Sequence, residues 1–168
     1  DALYGLTYLM YHELAHANDF FPSSSWSNLN RDDAILSAAQ KISNSTGYKS
    51  DQLQNTFPLL GDEMYALAQV SFHGADATNT QKAYLPSDIS TFFSAEDAPQ
   101  FYNYSSIRED YAMLFDAFMM KIRFDINRDV AITSSPKSAN ESYIVNWGQR
   151  GRIGDESIKP RVLYAVRH

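Results

Sequence analysis

The pentapeptide His12-Glu13-Leu14-Ala15-His16 decides how the rest of the chain is interpreted. Four residues of α-helix turn the backbone by about 400°, so the two imidazoles lie about 40° apart around the axis and about 6 Å apart along it. One metal ion can therefore bind both histidines. Glu13 is rotated by about 100° from His12, which places its carboxylate beside such an ion, where it can accept a proton from a bound water.

The residues around the pentapeptide predict the helix that this arrangement needs. Over residues 1–17, apolar side chains recur every three or four positions, at Leu3, Leu6, Met10 and Leu14. This spacing is typical of an amphipathic helix. The following stretch "NDFFPSSSWS", residues 18–27, holds a proline and three consecutive serines and predicts a loop.

Further helices are predicted along the chain from apolar periodicity and from capping residues. They span residues 31–43 with Asn30 as the cap, 51–57 as a short turn, 62–72 ended by Gly74, and 87–93 within an otherwise irregular stretch of residues 74–104. A long amphipathic helix is predicted over residues 107–124. Ser106 and Glu109 form a capping-box pattern at its start.

After Asn127 the residue types change from those that favour helices to those that favour strands. Residues 130–133, 143–147 and 162–166 are rich in β-branched and aromatic side chains and predict strands. Between them the stretch "WGQRGRIGD" predicts a glycine-rich turn, with Arg150 and Arg152 in solvent. The expected fold is therefore mainly α, of the α+β class, with a small β element near the C-terminus.

Composition narrows the class of protein. The 168 residues, 44% hydrophobic and 20% charged, predict one soluble globular domain spanning residues 1–168. The net charge of −6 argues against nucleic acid as a partner. No apolar run approaches the roughly 20 residues that a membrane span needs. The chain holds no cysteine, so any metal must be bound by nitrogen and oxygen.

A catalytic zinc ion takes three protein ligands and leaves a fourth position open. His12 and His16 supply two ligands, and the residue types leave several candidates for the third. These candidates are Asp19, His73, Glu109 and His168. Spacing alone does not choose among them.

Two blocks of the sequence resemble a known family. "HELAHAND", residues 12–19, and "EDYAMLF", residues 109–115, resemble the gluzincins, zinc metallopeptidases whose third ligand is a glutamate on a downstream helix. The pattern is similar to that of the anthrax lethal factor protease and related bacterial toxin-like peptidases. Ala112 and Phe115 keep that pattern, whereas Met113 replaces its usual acid. The resemblance covers residues 8–20 and 102–118.

The resemblance implies roles for individual residues. It implies that Zn²⁺ is held by His12, His16 and Glu109, and that Glu13 is the general base of peptide hydrolysis. It matches Asp19 to an aspartate that follows the second histidine by three positions, which predicts an acceptor for a ligand imidazole N–H. It also matches Tyr102 to a tyrosine seven positions before the ligand glutamate. Tyr102, or the equally close Tyr104, is the expected donor to the oxyanion.

The sequence departs from the family at its start. Zincins place a β-sheet before the metal helix, whereas eleven residues precede His12. The sheet is either cut away or supplied by the C-terminal strands in another order. We favour a missing N-terminal portion, which makes the chain a zincin-like helical subdomain, the C-terminal part of a longer protein.

The expected protein is a zinc peptidase acting on a peptide or protein substrate, secreted or periplasmic in a bacterium. Two alternatives stay open. One is a non-catalytic or toxin-like binding module that retains a metal site, and the other is a plain helical interaction domain. Glu13 favours the enzyme, because a structural zinc has no need of a general base.

Overall fold

The computed structural model describes residues 2–136, 138 and 140–167. The helices are α1 (Ala2–Phe20), α2 (Ile35–Thr46), α3 (Lys49–Thr56), α4 (Asp62–His73), α5 (Asn79–Lys82), α6 (Pro86–Ser94), α7 (Ile107–Phe124) and α8 (Lys159–Arg167). The strands β1 (Asp129–Ser134) and β2 (Ile144–Arg150) form an antiparallel hairpin. The predicted mainly helical fold with a small β element near the C-terminus is confirmed. Within the described ranges, no helix combines the length and the apolar character needed to cross a membrane.

Helix α7 is the centre of the fold. It packs against α1, α3 and α8 and buries side chains along its whole length, among them Leu114 and Met120. Its first turn is capped by Ser106, whose Oγ accepts the backbone N–H of Glu109 at 3.2 Å. It ends at Asp125, which takes the left-handed conformation with φ 53°. The predicted bounds of this helix are confirmed.

The buried side chains form two clusters. The first joins α1, α3, α7 and α8 and contains Ala15, Leu53, Tyr111, Ala112, Leu114, Ala117, Ile153, Ile158, Val162 and Ala165. The second lies around α4 and α6 and contains Leu59, Met64, Ala68, Phe93, Ala98 and Tyr104, with the hairpin residues Val130, Ile132 and Trp147 packed against it. The hairpin therefore covers the second cluster, whereas the two histidines of α1 lie on the side of the first.

Residues 162–166 are helical, so the predicted third strand is wrong. They belong to α8, in which Arg161, Val162 and Ala165 are buried. Val162 and Ala165 face the first cluster. Pro160 fits the first turn of a helix, because it needs no N–H partner there. Burial against α7 and α3 therefore outweighs the β-propensity of the valines.

Three further boundaries differ from those predicted. Helix α2 begins at Ile35 and not at residue 31, because Asn30 caps a separate turn in which its Oδ1 accepts the N–H of Asp32 at 3.1 Å. Helix α1 continues to Phe20, so the predicted loop over 18–27 begins too early. Residues 74–104 are less irregular than predicted, since they hold α5 and the 3₁₀ turn Phe101–Tyr104 as well as the expected short helix α6.

The apolar periodicity of α1 does not mark a buried face. Leu3 is 67% exposed, and Leu6, Met10 and Leu14 are between 55% and 57% exposed. Instead, the buried residues of α1 are Ala15 and Asp19. The residues that α1 buries are therefore one small and one polar side chain, and its apolar leucines and Met10 are exposed.

Candidate metal centre

The site forms where α1 meets the first turn of α7. Ala15 on α1 and Ala112 on α7 are both fully buried in the first cluster. Small side chains at such a contact let two helices approach closely. The histidines, which occupy adjacent turns of α1, therefore lie against the start of α7, where Ser106 holds the backbone N–H of Glu109.

Three potential ligand atoms converge at this contact. His12 Nε2 lies 3.1 Å from His16 Nε2 and 3.0 Å from Glu109 Oε2. His16 Nε2 lies 3.6 Å from the same carboxylate oxygen. All three side chains are partly buried. These residues could together hold a metal ion.

Glu109 is therefore not the second half of a capping box. The Ser106 half is present, because the serine accepts the N–H of Glu109. The Glu109 carboxylate, however, lies at the two imidazoles and does not return to the backbone of the cap. Its Oε2 is buried and receives no hydrogen bond within the described part of the chain. A buried carboxylate oxygen without a donor needs a compensating cation or proton.

Asp116 completes the surroundings of His12. Its Oδ2 lies 3.0 Å from His12 Nδ1, and its side chain is fully buried. When Nδ1 carries a proton and donates it to Asp116, the lone pair of Nε2 points toward Glu109 Oε2. Two lone pairs 3.0 Å apart repel each other unless a cation lies between them. This geometry would suit a histidine that binds a metal through Nε2 and is oriented by a carboxylate at Nδ1.

The charges around His12 act on its protonation. The hydrogen bond to Asp116 is the main cause that raises the pKa of His12, against the opposing effect of burial. The nearby carboxylates of Glu109 and Glu13 raise it further. Burial raises the pKa of Asp116 itself, and the hydrogen bond from His12 lowers it in part. The site is therefore electronegative and attracts cations.

Asp116 is the functional candidate that the sequence prediction missed. It follows Glu109 by seven positions, which is two turns of helix and therefore the same face of α7. The spacing of Glu109 and Asp116 on one helix is the signal that could have identified it.

Asp19 does not take the role predicted for it. It lies inside α1, fully buried, and accepts hydrogen bonds from the backbone N–H and the Oγ of Ser50, both at 2.7 Å. The guanidinium of Arg108 lies 3.7 Å from Asp19 Oδ2. The predicted contact to a ligand imidazole is made by Asp116 instead. Asp19 therefore connects α1 to α3 and to the first turn of α7.

The two candidate tyrosines are placed differently. Tyr102 lines an open cleft of about 590 Å³ together with His12 and Asp116, and it is 36% exposed. Tyr104 is fully buried in the second cluster, with its ring against Tyr65. The structure therefore brings Tyr102 to the site and leaves Tyr104 in the core.

Of the remaining residues singled out in the sequence, Glu13 lies beside the cluster and His73 lies away from it. Glu13 is exposed on α1 next to His12. His73 lies 3.0 Å from both the backbone oxygen and the Oγ of Ser105, so it is engaged away from the cluster. His168 lies outside the described residues.

The prediction that Arg150 and Arg152 lie in a solvated turn is wrong for Arg152, and Arg150 is exposed but is the last residue of strand β2. Arg150 is exposed and pairs with Asp129 across the hairpin at 2.7 Å. Arg152 is 4% exposed and donates to the backbone oxygens of Ala98 and Phe93. The aromatic ring of Trp147 also lies near its guanidinium. Arg152 therefore holds the chain segment after α6 from a buried position.

Comparisons with known proteins add no family to this geometry. No protein-family model, no curated protein and no solved structure matches the chain. The functional conclusion therefore depends on the arrangement of the side chains.

Proposed function

We propose that the chain is a zinc-dependent peptidase of the gluzincin type, in which His12, His16 and Glu109 hold Zn²⁺. The observation that carries the proposal is the triangle of ligand atoms. Tetrahedral zinc with bonds of about 2.0–2.1 Å separates its ligand atoms by about 3.3 Å. The distances of 3.0, 3.1 and 3.6 Å lie on both sides of that value.

The donor types favour zinc over other divalent ions. Two imidazoles and one carboxylate are a common ligand set of catalytic zinc, which keeps one position open. Magnesium and calcium prefer sites built from oxygen ligands alone. Asp116, which holds Nδ1 of His12, supplies the outer carboxylate that zinc-binding histidines commonly use.

The side chains of the site have separate roles in peptide hydrolysis. When bound, a zinc ion polarises the scissile carbonyl and lowers the pKa of a water toward about 7. Glu13, adjacent to His12 and exposed, accepts the proton of the attacking water and then delivers it to the leaving amine nitrogen. The hydroxyl of Tyr102, on the wall of the cleft, donates to the carbonyl oxygen as negative charge develops.

The test separates metal binding from hydrolysis. In zinc-supplemented protein, Glu13→Gln should keep one zinc per chain and lose hydrolysis of a peptide library by about 100-fold or more, because a general base contributes roughly 10²–10⁴-fold. His12→Ala should lose both zinc and hydrolysis. Glu156→Gln, which removes an exposed carboxylate far along the chain, is the matched control.

Two results contradict the proposal. One is a parent protein that takes up no zinc after supplementation. The other is a Glu13→Gln variant that hydrolyses peptides as fast as the parent.

A second candidate is a non-catalytic binding module that retains the metal site. The exposed apolar side chains of α1, such as Leu3 and Met10, favour it, because contiguous exposed apolar residues often mark a binding surface. Zinc uptake without hydrolysis of any peptide, compared with a chelator-treated control, would support this candidate over the first.

A further inference from the structure

The cleft beside the metal triangle contains one arginine that the proposed mechanism does not use. Arg128 lies between the end of α7 and the start of β1, and it lines the 590 Å³ cleft together with His12 and Tyr102. A cleft of this size falls in the range of ligand sites, which is about 300–1,000 Å³. The arginine therefore lies where a substrate bound at the metal would pass.

Arg128 is held in place without an ion pair. Its guanidinium lies over the ring of Tyr8, 3.8 Å from the ring centre, and donates a hydrogen bond to Gln100 Oε1. Within the described ranges no carboxylate lies at ion-pair distance from it, although Arg108 and Arg161 both have such a partner. A half-buried, oriented guanidinium without a carboxylate is suited to bind one.

The nearest acidic side chain does not remove this charge. Asp116 lines the same cleft, but it forms no ion pair with Arg128, and its Oδ2 lies 3.0 Å from His12 Nδ1. Tyr8 lies beside both groups, and burial together with the charge of Asp116 raises the pKa of its phenol, so it stays neutral. The positive charge of Arg128 therefore remains available on the cleft side.

Apart from His12, Asp116 and the tyrosines, the wall is largely apolar. Leu9, Met113, Met120 and Ile126 line the same cleft. A ligand that fills it meets the guanidinium of Arg128 next to this apolar surface. Specific sites are commonly built in this way, with few charged groups that fix orientation and apolar surface that supplies affinity.

We propose that Arg128 selects substrates by pairing with a carboxylate of the peptide, next to an apolar side chain that fills the cleft. This inference rests on the proposed function, since it places the reacting peptide bond at the metal triangle. The carboxylate can come from an acidic side chain or from the C-terminus of the peptide. Both present the same planar oxygen pair, which a guanidinium binds through two N–H donors.

Binding to an inactive protein tests the proposal without hydrolysis. The protein is zinc-loaded Glu13→Gln, and the probes are synthetic peptide pools with apolar residues at the flanking positions. One pair of pools differs only by Glu or Gln at one position, and a second pair only by a C-terminal carboxylate or carboxamide. One of the two carboxylate pools should bind at least about tenfold more tightly than its amide partner. The pair that shows this difference identifies whether the carboxylate comes from a side chain or from the C-terminus.

Substitution of Arg128 should remove that difference. In Glu13→Gln/Arg128→Gln the two members of the pair should bind within about twofold of each other, and Arg128→Lys should keep part of the preference. Arg123→Gln in the same background is the matched control, because Arg123 is exposed at the end of α7 and does not line the cleft.

Three results would overturn the proposal. They are equal binding of carboxylate and amide pools by Glu13→Gln, a preference that survives Arg128→Gln, and an equal loss for both members of each pair, which would mean that Arg128 acts through Asp116 alone. If Arg128→Gln does not fold, Arg128→Lys and the comparison of pools still decide. A preference for carboxylates in a protein whose parent hydrolyses no peptide would contradict the proposed function and support only carboxylate binding by Arg128.

Discussion

The two helices that carry the candidate metal ligands have opposite environments. Helix α7 lies in the centre of the fold and buries eight of its side chains, whereas α1 buries only Ala15 and Asp19. The apolar residues of α1 point outward, and Leu6 is 57% exposed while Leu114 of α7 is 0% exposed. One candidate ligand therefore belongs to a largely buried helix, and two belong to a helix with little buried apolar surface.

Polar contacts replace apolar packing in holding α1. Asp19 binds Ser50 of α3 through two hydrogen bonds of 2.7 Å and lies 3.7 Å from Arg108 of α7. Asn18 donates to the hydroxyl of Tyr111 at 2.9 Å. Hydrogen bonds depend on direction more than apolar contacts do. Helix α7 therefore contributes stability through apolar burial, and the directional contacts of α1 fix how its histidines are oriented.

The largest loss of stability is expected on the α7 side. Arg161 of α8 is buried, pairs with the buried carboxylate of Asp110, and donates to Phe57 O at 3.0 Å and to Asp97 O at 2.9 Å. Arg161→Met should lower the free energy of unfolding by about 3–5 kcal/mol, because it leaves a buried carboxylate without a partner. Urea denaturation of the metal-free protein measures this change.

The control for Arg161 is Arg167→Met, an exposed arginine at the end of the same helix, which should change stability by less than about 0.5 kcal/mol. The double variant Asp110→Leu/Arg161→Met should recover part of the loss, since no lone charge remains. Equal unfolding midpoints for Arg161→Met and Arg167→Met would contradict a central role of this pair.

The same substitution on the two helices tests the comparison directly. Leu114→Ala should cost about 2–5 kcal/mol, because the side chain is fully buried in the first cluster and its removal leaves a cavity. Leu6→Ala on α1 should cost less than about 0.5 kcal/mol. Thermal unfolding of the two variants side by side measures both. A cost for Leu6→Ala that approaches that of Leu114→Ala would show that α1 is covered in solution.

A third variant addresses the metal and leaves the packing unchanged. Asp116→Asn keeps the size of the side chain but removes the charge that faces His12 Nδ1 at 3.0 Å. Zinc affinity should fall about 10–100-fold, which is typical when the outer partner of a ligand histidine is lost. Competition with a chelating dye measures the affinity. Asp125→Asn, an exposed aspartate that ends the same helix, is the matched control and should leave it unchanged.

The smallest effect is expected outside both helices. Asp129 and Arg150 face each other across the exposed edge of the hairpin at 2.7 Å, and this contact lowers the pKa of Asp129. A folded-state pKa below the unfolded value gives stability that is present above about pH 4 and is lost as pH falls through the folded pKa. The thermal midpoint of Asp129→Asn should therefore lie slightly below that of the parent at about pH 7.

At about pH 3 the two midpoints should converge, because Asp129 of the parent is then largely protonated in the unfolded state and partly in the folded one. A difference that grows as pH falls would contradict this sign.

The sequence predicted local patterns better than it predicted their surroundings. The pentapeptide and the start of α7 could be identified because both obey short-range rules, the i, i+4 spacing of the histidines and the cap at Ser106. Whether the Glu109 carboxylate turns back to its cap or reaches across to α1 depends on contacts between distant residues. The resemblance to gluzincins suggested the answer that the geometry supports.

The errors share one physical cause. The strand predicted over 162–166 follows from treating side chains as if their type fixed their environment. Tertiary packing put Val162 in a helix against the first cluster and left Leu6 in solvent. Asp19 was the expected acceptor for an imidazole N–H, but Asp116 lies in that position, because the crossing of α1 and α7 determines which carboxylate reaches His12.

The adjacency of Arg108 and Glu109 has a consequence for folding. Arg108 connects α7 to Asp19, and the next residue, Glu109, carries the carboxylate that faces His12. Both connections between α1 and α7 therefore form at the same place in the chain. An ion held there would clip together segments about ninety residues apart, and such a clip restricts the unfolded chain in the way a covalent cross-link does. Chelation would then loosen the whole helical assembly as well as empty the site.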